Sequence, residues 1–211
     1  MGQSTEQVQS TSEKIIAPID SECDRLIAQR TPLAVVNYIG LLSSIWVTAH
    51  TFQDHPNLYW AAAAIIIFNL VRTCISSFQI PLYSASRKLW LLVCGLLLCG
   101  TALRWGTLCW VVLSIYGFSS PTTLLVLLVI SGTAAGAITS LSTHRKFGAL
   151  SITAILGAPL VQLVTSHNYD LAAVFIVYLV FLLVQSRIQC RQIRNGLERE
   201  YQFIALSEAS F

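Results

Sequence analysis

LWLLVCGLLLCGTALRWGTLCWVVLSIY, residues 89–116, is apolar almost throughout and carries one charge, Arg104, in its middle. As an α-helix at 1.5 Å per residue it would run about 42 Å, against a hydrocarbon core of about 30 Å. It is long enough to cross a bilayer with its ends protruding, or with a bend near Gly106. An isolated cation in such a run costs about 3 kcal/mol or more, so it calls for a protein partner or a wet cavity beside it. The stretch therefore reads as a membrane-spanning helix that faces other protein.

The rest of the chain agrees. Of 211 residues, 55% are hydrophobic and 11% charged, where soluble domains carry about 25% charged residues. Mean hydropathy is +0.65. Residues 55–169 contain no Asp or Glu, and the basic residues are spaced along the chain rather than gathered into a nucleic-acid-binding patch. The six cysteines sit in apolar segments (Cys74, Cys94, Cys99, Cys109) or in the tails (Cys23, Cys190), a placement expected of reduced, apolar-behaving thiols rather than a disulfide framework. No signal-peptide pattern opens the chain, so the N-terminus reads as a cytosolic tail.

Six hydrophobic segments follow: 33–50, 58–78, 89–116, 122–141, 147–166 and 171–189. Thr31-Pro32 and Ser120-Pro121 place a capping residue before a proline at a helix start. Pro159 falls inside the fifth segment, where a kink is expected. Residues 20–30 predict a short amphipathic helix capped by Asp20 or Ser21. Lys and Arg then sort the loops. Lys14, Arg25 and Arg30, Arg87 and Lys88, Arg145 and Lys146, and Arg187, Arg191, Arg194 and Arg199 fall in alternate connections, while the loops around Asp54, Ser119 and Asn168 hold none. By the positive-inside rule this predicts an all-α polytopic membrane protein of six helices with both termini cytoplasmic.

Several residues are candidates for function. Arg104 is too deep to snorkel; its candidate partners are Asp170, backbone carbonyls, or the hydroxyls of Thr101 and Ser131. With Trp105, Asp170 and Arg72 it forms the candidate sensing set, although Arg72 is close enough to the inner surface to act as an anchor instead. Gly132-x-x-x-Gly136, with Ser140 one step further, is a face that lets helix backbones approach, either as a dimer seam or, more commonly, as packing inside one bundle. Gly106, Ala154, Gly157 and Ala158 suit the same close contact. His50, His55 and His167 gather at the outer face with Asp54 and Asp170, yet their spacing matches no metal motif, and no cofactor is expected. Catalytic signatures such as H-E-x-x-H, G-x-S-x-G or a P-loop are absent from the sequence, so no enzyme activity is expected of it.

Beyond residue 189 the helical pattern continues with charge, and Ile193, Leu197 and Ile204 recur at steps near a coiled-coil seam. LEREYQFIALSEASF, residues 197–211, resembles the opening of a PAS domain, whose first helix commonly reads glutamate-rich and then Phe-x-x-Leu-x-Glu-x-Ser. Residues 100–187 resemble the six-span input modules of bacterial sensor histidine kinases and diguanylate cyclases. Those often carry a Trp-Gly in the third helix, a Gly-x-x-x-Gly in the fourth and a proline in the fifth; here these are Trp105-Gly106, Gly132/Gly136 and Pro159.

The resemblance implies a two-component-type sensor in a bacterial cytoplasmic membrane, homodimeric, signalling to a cytoplasmic output domain or kinase. Residues 1–31 would be its cytoplasmic tail, 32–189 its six-helix sensor domain and 190–211 its signalling helix and PAS-like start. Arg187, Ile193, Leu197 and Ile204 would transmit the signal of an unidentified small ligand. A small-solute carrier, such as a substrate-binding subunit of the energy-coupling vitamin transporters, is the alternative; Arg104 would then bind an anionic solute.

Overall fold

The computed structural model describes residues 19–27, 29–30, 36–45, 55–77, 83 and 86–208, and every regular element among them is helical. In chain order these are α1 (residues 19–27), α2 (Val36–Ile45), α3 (Pro56–Ser77), α4 (Arg87–Tyr116), α5 (Pro121–Ser140), α6 (Arg145–Thr165) and α7 (Tyr169–Glu208). The last five are long and apolar enough to cross a membrane. α2 lies within the first expected span but is shorter, and residues 31–35 and 46–54 lie outside the described set. Asp20 and Ser21 are already inside α1, which includes Ile19, so neither is its cap.

Local chemistry sets the boundaries. Ser86 caps the start of α4, three residues before the apolar run opens at Leu89, and its hydroxyl accepts from the Leu89 amide at 3.4 Å. Gly117 ends that helix at φ 69°, a left-handed angle that glycine adopts without the clash a Cβ brings. Ser120 and Pro121 open α5 in the expected cap-and-proline arrangement. α7 is one unbroken helix of 40 residues, about 60 Å long.

The core is built around α4 and α6, which share the most extensive contact. Trp105 and Leu108 of α4, Ile130 of α5, and Ile152, Ile155 and Leu156 of α6 are all fully buried. At the centre of the α4–α6 crossing stands Gly106. A Cβ placed there would lie 2.9 Å from the Ala154 carbonyl oxygen, 3.1 Å from that of Ile155 and 3.1 Å from the Ala158 Cβ. Pro159 has no N–H, so the Ile155 carbonyl lacks its usual partner in the helix, and it is one of the two carbonyls that approach Gly106. The small side chains of Ala154 and Ala158 thus let α6 approach the α4 backbone at Gly106.

The exterior is as apolar as the core. Leu92, Leu96, Leu128, Val174, Val177 and Phe181 are exposed, Leu128 by 70% and Val177 by 69%. Patches of this extent are not tolerated against water. Lipid satisfies them, and the chain is a multi-pass membrane protein. Side-chain contacts divide the bundle into two ends. Arg87, His144 and Arg194 meet α1 at one, while His55 stacks edge-on against Tyr116 at the other, ring centroids 5.6 Å apart.

Candidate functional site

α1 carries Ile19, Cys23 and Ile27 at four-residue steps, and all three are buried against the basic end of the bundle. Ile27 packs in a small cluster with Trp90 and Cys94. That docking brings Asp24 into the interior, where its side chain is 0% exposed. Arg87 Nε donates to Oδ2 at 2.7 Å and the Tyr83 hydroxyl to the same oxygen at 3.1 Å, while His144 Nε2 lies 2.6 Å from Oδ1. Burial pushes the Asp24 carboxyl up, but the hydrogen bonds from His144 and Arg87 outweigh it and hold the group below its ordinary value. One turn earlier Asp20 pairs with Arg194 of α7 at 2.5 Å and with Arg87 at 3.5 Å. Two acids four residues apart thus join α1 to α4, to the α5–α6 corner and to the extension of α7.

A second polar locus lies inside the bundle. Tyr38, Arg72, Thr101, Trp105, Ser140 and Ser151 line a cavity of about 10 Å³, room for one water-sized body. Arg72 is 5% exposed and hydrogen-bonded by Tyr38, so it points inward rather than snorkelling to the surface. The Tyr38 ring packs on Trp105, centroids 5.8 Å apart. The Trp105 indole N–H and the Ser151 hydroxyl are buried with no hydrogen-bond partner among the described residues. Of the candidate sensing set, the fold brings Arg72 and Trp105 together here.

Arg104 and Asp170 are elsewhere. The Arg104 guanidinium sits 4.3 Å from the centroid of the Phe68 ring, half-exposed, and no ion pair among the described residues joins it to Asp170, which is exposed at the start of α7. No hydrogen bond among the described residues joins Arg104 to Thr101 or Ser131 either; the Thr101 hydroxyl donates to the Leu97 carbonyl. A desolvated cation–π contact contributes about 2 kcal/mol. Arg104→Met is accordingly expected to keep expression and to lower the unfolding midpoint in detergent by several degrees; a collapse in folded yield would mean that Arg104 holds something more.

The glycine face of α5 does not pack as expected. Among the described residues nothing lies within 4 Å of a Cβ at Gly132 or Gly136, so no contact inside the described bundle uses these two glycines. With Ser140, Arg30 and Tyr38 they line an open cavity of about 330 Å³, because α2 crosses here without close contact. Gly157 is likewise open. His55 and His167 each engage a tyrosine, His167 through Nδ1 to the Tyr169 hydroxyl at 2.8 Å, and His50 lies outside the described residues. No group of three or more potential metal ligands occurs among the described residues. On α7, Arg187 and Ile204 are exposed and Ile193 and Leu197 half-buried.

Sequence reasoning did not find the Asp24 hub. Its local signal is the spacing Asp20, Asp24 beside Ile19, Cys23, Ile27, which puts both carboxylates along the edge of a narrow apolar stripe. No family model matches this chain, and neither a curated protein nor a solved structure matches it.

Proposed function

We propose that this chain is the membrane-embedded input module of a signalling protein of the sensor histidine kinase or diguanylate cyclase type, passing its signal through α7 to a cytoplasmic output domain. The observation that carries the reading is the length of α7. About 30 Å of this helix spans hydrocarbon, which leaves a comparable length outside the bilayer, helical and continuous with the span. A rigid rod of that kind carries rotation or tilt from the bundle outward. Its base is gripped by α1 through Asp20 and Arg194, and α1 is in turn fixed by Asp24 to α4 and the α5–α6 corner. Any change in the bundle that moves these elements reaches α7.

Six crossings with both ends of the chain cytoplasmic belong to the same proposal. In its favour, the chain is at the basic end at Asp24 and at the opposite end at His55, so it passes the length of the bundle between them. The basic loops meet at one end, as a cytoplasmic face requires. The signal would be read at the cavity around Arg72 and Trp105, in a bacterial inner membrane and as a homodimer.

The test is helical phase. With the chain fused to a reporter kinase, insertion of four residues after Gly196 is expected to change output, and a seven-residue insertion, one heptad, to restore it. Output indifferent to both insertions overturns the proposal.

A further inference from the structure

Beside the Asp24 hub a cleft of about 710 Å³ opens between α1, the α5–α6 corner and the extension of α7. Asp20, Thr143, His144, Arg145, Lys146 and Arg194 supply its polar lining: three fixed cations against one carboxylate. Asp20 is already engaged by Arg194 and Arg87, and His144 by Asp24. Arg145 and Lys146 are exposed and make no ion pair among the described residues.

Two further features place donors in the wall of this space. The 21-residue helix α6 begins here at Arg145, its N-cap residue His144 makes no side-chain cap bond, and its first turn contains no acid. Its leading amides and the positive end of its dipole are therefore unanswered by any side chain. Independently, Thr143 is 3% exposed and its hydroxyl has no hydrogen-bond partner among the described residues. Burying a hydroxyl unpaired is costly, and such a group in a cleft wall marks a missing acceptor. Topology alone accounts for Arg145 and Lys146 as inner-face charges, but it gives no reason for a buried, unsatisfied hydroxyl next to them.

We infer that this cleft binds a phosphate group. Helix amides, a hydroxyl and two free cations converging from different directions offer more donors than the two oxygens of a carboxylate accept, and a tetrahedral dianion takes them all. The group belongs either to a phospholipid headgroup, since the cleft lies at the end of the spanning helices, or to a soluble phosphorylated molecule. An anion there also competes with Asp20 for Arg194 and so loosens α1 from α7. This coupling rests on the input-module reading; the site itself does not.

Thermal unfolding of the full chain in an uncharged detergent tests the site. Inorganic phosphate is expected to raise the midpoint saturably, beyond chloride at matched ionic strength. Arg145→Gln with Lys146→Gln, and separately Thr143→Val, are expected to weaken the response about tenfold in half-saturating concentration. The control pair Arg191→Gln with Arg199→Gln, on α7 outside the cleft, should leave it within about twofold. In phosphatidylcholine nanodiscs, added phosphatidic acid that raises the midpoint and abolishes the phosphate response identifies a lipid headgroup. A phosphate response that persists beside phosphatidic acid identifies a soluble ligand. If neither phosphate nor phosphatidic acid stabilises beyond its control, or if the cleft and control variants respond alike, there is no phosphate site. Failure of the phase experiment on α7 leaves these outcomes unchanged, so the two inferences fail separately.

Discussion

Gly106→Val is expected to unfold the bundle at a temperature lower by about 5 °C or more. Even an alanine Cβ at this position comes within 2.9 Å of the Ala154 carbonyl oxygen and 3.1 Å of the Ile155 oxygen and Ala158 Cβ. Two of these three neighbours are backbone, which cannot rotate away as the end of a long side chain can. Overpacking by a methyl-sized group costs about 1–3 kcal/mol, and valine adds two further methyls to the same space. At about 2–4 °C per kcal/mol for a chain of this size, Gly106→Ala should already be visible in a thermal melt.

The contrast is with Gly132→Ala and Gly136→Ala. Nothing described lies within 4 Å of either Cβ, so both are expected to leave the midpoint unchanged or to raise it by the roughly 0.5–1 kcal/mol that glycine costs inside a helix. If this face is a seam between two copies, Gly136→Leu lowers the dimer fraction without lowering the stability of the monomer. A Gly106→Val protein that melts like the wild type would show that α4 and α6 do not cross there.

These glycines also show what was legible in the sequence. Spacing reveals that a helix has a flat face; it does not reveal what lies across from it. Gly132-x-x-x-Gly136 is the stronger motif and packs against nothing described, whereas Gly106, which has no such repeat, makes the closest approach to a neighbouring helix's backbone among the described glycines. The long elements were legible because hydropathy and Lys/Arg placement are properties of each segment alone, and five of the six expected spans appear as long helices. The Asp24 hub was not, because its partners are 59, 63 and 120 residues away in sequence. Positive-inside reasoning places Arg87 and His144 on the side of α1, but reads them as topology signals rather than as ligands for a carboxylate. Arg104 shows a related limit: it faces protein, but spacing does not say that the group across from it is an aromatic ring on α3.

Asp24→Asn is expected to release α1 from the bundle, and Cys23 reports it. That thiol is 1% exposed in the docked state, so its alkylation requires α1 to lift. The carboxylate offers two acceptors and uses both, Oδ2 for Arg87 and Tyr83 and Oδ1 for His144. Asparagine has one acceptor oxygen. If it answers Arg87, its amide faces His144; if it answers His144, the amide meets two donors. In either orientation a charge-assisted hydrogen bond is lost, at about 2 kcal/mol after allowance for the partly exposed Arg87. That is about a 30-fold rise in the undocked fraction and in the alkylation rate of Cys23.

Asp20→Asn should do far less, since its partner Arg194 is 53% exposed and pairs of that kind contribute about 0–1 kcal/mol. The pH dependence has a definite sign. Asp24 is held below the free aspartate value of 3.8, so its contribution is complete above that value and is lost only as pH falls through the lower, folded-state value. Cys23 protection that does not change between about pH 5 and pH 7, once corrected for thiolate fraction, fits this assignment. Equal labelling of Asp24→Asn and the wild type would show that the apolar stripe of Ile19, Cys23 and Ile27 holds α1 without help from the buried carboxylate. α7 would then lack the grip at its base that the transmission argument requires.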